Sequence, residues 1–482
     1  MAFEIHDRYQ LFVDGAFVDA ADGETRETID PATGEPIATV AEATATDVDR
    51  AVEAAAAAQP EWAATSAAER GRILQRVARS VREHADELAE LESRDQGKPV
   101  SQAHHDVEGV ARFFEYYGGA ADKLEGRTAP TGADKLAFTE REPYGVSGQI
   151  VPWNFPVNLT ARGVAPALAA GNAVVVKAAP TTPLSALRLA ELASEAGVPD
   201  GALNVLTGGA EPGEALSDHG DVDVLTFTGS VPTGQAVMQS AAETITPVTL
   251  ELGGKNAAIV TPEADLGSAV FWTSIGIFTN GGQICSAADR AVVHESIYDD
   301  FVESVVDRAE SYDLGPGVED PGMGPLNHES HYESVLEYID VGVNEGATLA
   351  TGGEAADREG FFVEPTVFTD VEPDMRIAQE EIFGPVLTVI PYGDPAEAVD
   401  IANGVEYGLT GGVFSQDVDE ALSLARRVDA GTVYVNEWFG GTPETPFGGT
   451  KKSGIGREKG LEALDAYLQT KSITVNLDDP TA

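Results

Sequence analysis

A single cysteine occurs in the 482 residues, within Asn280-Gly281-Gly282-Gln283-Ile284-Cys285-Ser286. A lone cysteine is ordinarily a small buried hydrophobe. Here the flanking glycines let the backbone approach a ligand, and Gln283 and Ser286 make the surroundings polar. On this segment alone an inert thiol and a nucleophile are equally good readings. Thirty-four residues upstream, Glu251 stands in Leu250-Glu251-Leu252-Gly253-Gly254-Lys255. It is either a solvated carboxylate or a base held where a strand ends, the place where doubly wound folds collect site residues. A third piece is Pro152-Trp153-Asn154-Phe155-Pro156. Two prolines fix the backbone around an aromatic–amide–aromatic triplet. A packing loop gives no reason for the central Asn154, whereas an oriented carboxamide NH₂ suits an oxyanion site.

Around these pieces lie further motifs: Phe227-Thr228-Gly229-Ser230, Glu380-Glu381-Ile382-Phe383-Gly384-Pro385, Pro446-Phe447-Gly448-Gly449 and Ser453-Gly454-Ile455-Gly456-Arg457-Glu458. At these positions, and over nearly its whole length, the sequence resembles the NAD(P)-dependent aldehyde dehydrogenase superfamily. The resemblance implies that Cys285 as thiolate attacks an aldehyde carbonyl to give a thiohemiacetal. Asn154 and the Cys285 backbone N–H would stabilise the oxyanion. Hydride would then leave for the nicotinamide, and Glu251 would activate the water that hydrolyses the thioester. The cofactor expected is NAD or NADP, and no metal is expected. Gly229-Ser230-Val231-Pro232-Thr233-Gly234 replaces the usual glycine fingerprint: it follows a strand, should open a helix, and can face a pyrophosphate with its N–H groups. By the same resemblance Trp153 borders the cofactor and Lys177 contacts the adenosine ribose. Glu381 and Phe383 position the nicotinamide ribose and ring.

Two departures bear on specificity. NAD-preferring relatives often carry a Glu three residues after the strand-end lysine; here Pro180 stands there, so NAD and NADP are both open. Arg162 lies eight residues past Asn154, about two helical turns, and is expected to point toward the tunnel mouth. Relatives acting on succinic semialdehyde and similar substrates have Arg there, which can clamp a carboxylate. Thr442 is a further expected carboxylate contact. The leading expectation is therefore a carboxylate-bearing semialdehyde, succinic or 2-oxoglutaric. Glyceraldehyde or its phosphate, lactaldehyde and betaine aldehyde are alternatives. CoA-acylating chemistry is disfavoured by the presence of Glu251, and a catalytically silent protein of the same fold by the presence of all three catalytic residues.

These residues need elements to hold them. Alternating strands and helices after Gly145 indicate an α/β, parallel, doubly wound sheet. Ala173 to Val176, Leu203 to Leu206 and Val222 to Phe227 read as its strands, with a helix from Pro183 to Ala196. A second block follows Glu251, with strands at Asn256 to Val260, Ala291 to His294 and Thr432 to Val435 and a helix at Ile297 to Ser311. The stripe Ile73, Leu74, Val77, Val81, Leu88 and Leu91 predicts one helix from Ala67 to about Asp95. The expected division is a Rossmann-type cofactor-binding domain (1–122 and 142–252), an α/β catalytic domain (253–449) and a small oligomerisation element (123–141 and 464–482). The last carries a β-prone run, Lys471 to Val475, suited to a sheet edge in a neighbouring subunit. A homodimer or homotetramer is expected.

Eighty acidic against thirty basic residues give a net charge of −50. The carboxylates are spread along the chain, which excludes an acidic tail, and persistent aliphatic periodicity argues against disorder. The remaining reading is a fold adapted to a saline cytoplasm, where salt screens self-repulsion. So acidic a surface argues against nucleic acid and anionic membranes as partners. No apolar run reaches the length of a membrane span and the N-terminus lacks a leader pattern, so a soluble, cytoplasmic protein is expected.

Overall fold

The structure, a computed structural model, describes residues 5–477. Its centre is an eight-stranded sheet in the order Gly454–Ile455, Val248–Glu251, Val224–Thr228, Val146–Ile150, Ala173–Lys177, Leu203–Leu206, Leu11–Val13, Ala16–Val18. The five strands from Val248–Glu251 to Leu203–Leu206 run parallel, and the outer ones are antiparallel. The apolar run Ala173-Val174-Val175-Val176 is explained by burial on both faces. Val174 and Val176 enter one core while Ala173 and Val175 enter the other, as alternation in a doubly covered sheet requires.

A second, seven-stranded sheet has the order Thr348–Thr351, Thr366–Thr369, Val386–Tyr392, Arg290–His294, Ala257–Val260, Thr410–Phe414, Thr432–Val435. Only its first pair is antiparallel. Both sheets lie among helices, giving the α/β architecture expected. The stripe beginning at Ala67 makes two helices rather than one, Ala67–Glu83 and Ala85–Gln96. The break is His84, whose backbone leaves the helical region (φ −113, ψ 22). Leu88 and Leu91 stay fully buried on the second helix, so apolar spacing alone could not reveal the break.

A third sheet pairs Leu468–Asn476 with Lys135–Pro143 and Thr128–Ala129, all antiparallel. The β-prone run near the C-terminus thus joins a sheet of its own chain, and its outer edge stays open there. Two details cut across the expected division: strand Lys135–Pro143 continues past 141, and Gly454–Ile455 returns to the first sheet. Residues 478–482 of the expected oligomerisation segment lie outside the described residues. Among the described residues no helix is long and apolar enough to cross a membrane.

Candidate active site

Cys285 follows the helix Leu266–Phe278 through a turn in which Asn280, Gly281 and Gly282 all take left-handed φ (52°, 61° and 74°). Glycine is required at 282 for a second reason: a Cβ there would stand 2.1 Å from the Gly384 carbonyl oxygen. Gln283, read from sequence as a polar site residue, is scaffold. It is fully buried, its Nε2 donates to the Asn280 carbonyl (2.8 Å), and its Oε1 accepts from Asn327 N–H (2.9 Å). Asn256 Nδ2 donates to the Cys285 carbonyl (2.9 Å) and Trp438 Nε1 to that of Ser286 (2.8 Å). The carbonyls are thus engaged, while the Cys285 N–H has no acceptor among the described residues, which leaves it available to an oxyanion. Cys285 is half-buried and retains accessible surface. Burial pushes its thiol up to about 12; Arg162 opposes that shift, and Glu381, Glu251 and Glu458 add to it.

Asn154 ends the proline-bounded loop just before the helix Pro156–Ala170. Its Nδ2 donates to the Gln283 carbonyl (2.8 Å) and its own carbonyl accepts from Asn280 Nδ2 (3.0 Å). This ties the loop to the cysteine segment and leaves one of two amide hydrogens uncommitted. Beneath it, Lys98 Nζ lies 4.0 Å from the Phe155 ring centroid and pairs with Asp106 (2.5 Å).

Glu251 is the last residue of its strand, in register with Thr228 on the neighbouring one. The N–H of Gly229 donates to the Glu251 carbonyl (3.0 Å), so the glycine turn and the candidate base occupy adjacent strand ends. The Glu251 carboxylate is buried, and neither oxygen has a hydrogen-bond partner among the described residues. Burial first, and then neighbouring Glu458, raise its pKa well above the usual carboxylate range; Arg162 opposes this.

Arg162 lies among the charged groups around Cys285 and Glu251. It is buried, its guanidinium bonds the Glu458 carboxylate through Nε and Nη2, and it lies 4.8 Å over the Phe447 ring. The fork expected to hold a substrate carboxylate is occupied by an internal one. Thr442 is exposed, and its carbonyl accepts from Thr445 Oγ1 (2.8 Å). Glu458 was visible only as part of a motif, and its pairing spans 296 residues.

The remaining residues line a second region. Ser230 caps the helix Val231–Thr244, its Oγ accepting from Thr233 N–H, with both side chains exposed. Lys177 ends its strand, and burial, with Arg26 assisting, lowers its ammonium to about 8. Glu42, just past the end of strand Glu35–Ala41, opposes that shift, so a carboxylate acts on this end although Pro180 lacks one. Glu381 Oε1 accepts from Gly254 N–H (3.1 Å), and burial pushes its carboxyl up to about 8. Phe383 has φ 61° and its carbonyl is 2.8 Å from His331 Nε2. Trp153 packs against Phe383, His328 and His331 (centroids 5.4, 5.3 and 5.2 Å). The histidines had no sequence signal. A dinucleotide fits this set on two counts: among the described residues the buried Lys177 ammonium has no ion pair, and the glycine turn after strand Val224–Thr228 leads into a helix N-terminus at Val231. Among the described residues no cluster of His, Cys, Asp and Glu is arranged to hold a metal.

Residues 17–473 match the model of the "Aldehyde dehydrogenase family". An aldehyde dehydrogenase of Aspergillus niger is 45% identical over 473 residues, 97% of this chain and 95% of the relative. A hydroxyisobutyraldehyde dehydrogenase of Mycolicibacterium austroafricanum is 45% identical, covering 98% and 94%. The solved NAD+ complex of an aldehyde dehydrogenase from Bacillus cereus superposes with a TM-score of 0.97 at 44% identity, covering 98% of this chain and 97% of that one.

Proposed function

This chain belongs to the aldehyde dehydrogenase family, and we propose that it oxidises its aldehyde through Cys285, Asn154 and Glu251 with NAD or NADP. The observation that carries the reading is a half-accessible thiol with an unspent N–H, on a segment to which an amide with a spare hydrogen is bonded and within charge range of a buried carboxylate that has no partner among the described residues. Cys285 Sγ bonds to the carbonyl carbon as the thiol loses its proton. The oxyanion formed accepts from Cys285 N–H and Asn154 Nδ2. When bound, the nicotinamide takes up the hydride, two electrons and the aldehyde hydrogen. The thioester left on Cys285 is cleaved by water, whose proton passes to Glu251. Its raised pKa makes Glu251 a strong enough base once ionised. Carboxylate, reduced cofactor and two protons per turnover balance aldehyde, oxidised cofactor and water.

Lys177 and the Ser230 helix end would hold the ribose and pyrophosphate; Glu381, Phe383 and Trp153 would hold the nicotinamide side. The substrate class favoured is a carboxylate-bearing semialdehyde. Arg162 contributes field rather than its occupied fork, and a cationic substrate such as betaine aldehyde would meet repulsion. The open edge of strand Leu468–Asn476 supports subunit association, as a dimer or tetramer in a salty cytoplasm. The decisive test is a rapid-mixing assay of Glu251→Gln with aldehyde and cofactor. One equivalent of reduced cofactor per site should form quickly and then stall, while Cys285→Ser forms none. Steady turnover by Cys285→Ser would overturn the reading.

A further inference from the structure

Lys459 departs from the pattern of the lysines around it. Lys451, Lys452 and Lys471 each pair with a carboxylate, Asp429, Glu406 and Glu142 respectively. Lys459 pairs with none among the described residues; its only polar contact is a long one, Nζ to the Gly441 carbonyl (3.5 Å). In a chain of net charge −50, an ammonium without a counter-ion is unexpected. Its backbone is strained as well, with φ 58°, a left-handed value that a lysine rarely adopts and that Gly460 beside it shares. Such strain persists where the surroundings hold the residue in place, and it is commonest at ligand sites.

The ammonium is directed at a defined place. A Cβ built on Gly441 would lie 3.3 Å from Lys459 Nζ, 3.4 Å from Thr445 Oγ1 and 3.8 Å from Tyr434 Oη. The glycine therefore leaves room at a point where three polar groups converge. Thr445 spends its hydrogen on the Thr442 carbonyl (2.8 Å). Tyr434 Oη makes no hydrogen bond among the described residues, although its ring is buried against Trp438 (centroids 5.7 Å). Tyr434 reaches the neighbourhood of the nucleophile through Trp438, whose Nε1 donates to the Ser286 carbonyl (2.8 Å), and the Cys285 charge acts on both Tyr434 and Lys459. The Phe447 ring lies 5.4 Å from Lys459 Nζ and 4.8 Å from the Arg162 guanidinium.

We propose that Lys459 Nζ and Tyr434 Oη form the subsite for a carboxylate at the far end of the substrate, with Phe447 as the apolar wall for the methylenes between. This rests on the aldehyde-oxidising role of Cys285 and deepens it: selection of semialdehydes passes from Arg162, held by Glu458, to Lys459. An ammonium and a phenol supply the charge-assisted and neutral donors that a carboxylate accepts.

The test compares succinic semialdehyde with butanal, of equal carbon number, in the full-length enzyme and in Lys459→Met, Lys459→Arg and Tyr434→Phe. The readout is the ratio of the two kcat/KM values, which a loss of folded protein leaves unchanged because both substrates meet the same preparation. Lys459→Met should lower that ratio by about 10-fold or more, through KM for the semialdehyde. Lys459→Arg should recover most of it, and Tyr434→Phe should lower it less. Raising salt should erode the wild-type ratio but not that of Lys459→Met. An unchanged ratio in Lys459→Met overturns the proposal. A wild-type enzyme that oxidises neither aldehyde overturns the functional reading itself, a separate outcome.

Discussion

Replacing Gly253 by alanine tests how Glu381 is held. A methyl carbon at 253 would stand 2.0 Å from Glu381 Oε2 and 3.0 Å from Oε1. Gly253 does not use left-handed φ, so the substitution adds a clash without backbone strain. To reach ordinary contact the carboxyl must retreat by about 1.4 Å. That breaks the 3.1 Å bond it accepts from Gly254 N–H. Losing a hydrogen bond to a buried group costs about 1–3 kcal/mol, which corresponds to about 5- to 140-fold in a binding constant. The expected result is a rise of that size in KM for NAD and NADP with the melting temperature little changed. Gly119→Ala is the control, because a methyl there meets nothing within 4 Å. Unchanged cofactor KM in Gly253→Ala, or a rise confined to the aldehyde KM, would refute the placement of Glu381 at the cofactor.

Glu42→Gln removes the carboxylate beside Lys177 while leaving Arg26. The ratio of kcat/KM with NADP to that with NAD should rise several-fold, and a fall would place the 2′-phosphate elsewhere. Asp95 is buried and its carboxyl is pushed up to about 7, mainly by burial. Because the folded state then holds a proton that the unfolded chain releases near pH 4, stability is lost as pH rises from about 4 to about 7. The loss is on the order of 4 kcal/mol. Melting temperatures of Asp95→Asn should fall less over that window than those of wild type; parallel curves would contradict this. Finally, a net charge of −50 should make the melting temperature climb steeply between 0.1 M and 2 M salt. A flat profile by circular dichroism would remove the halophilic reading.

The sequence by itself determined the chemistry and the class of fold. Cys285, Glu251 and Asn154 are marked by glycines and prolines that act on their own backbone, so their signals are local. The Val-rich strands were readable for a similar reason, since burial on both faces leaves an unbroken apolar run. Tertiary structure alone decided what each charged group faces. Helical spacing placed Arg162 on the side of Asn154, yet periodicity gives a direction and not a depth. Arg162 is buried because Glu458, 296 residues away, is there to receive it. Lys459, a plain surface lysine by composition, became a candidate ligand only when folding brought Gly441 and Tyr434 to its ammonium while leaving it no carboxylate. The break at His84 was hidden because its flanking leucines stay buried on either side of the kink. Burial and ion pairing are properties of distant segments meeting, and no local pattern records them.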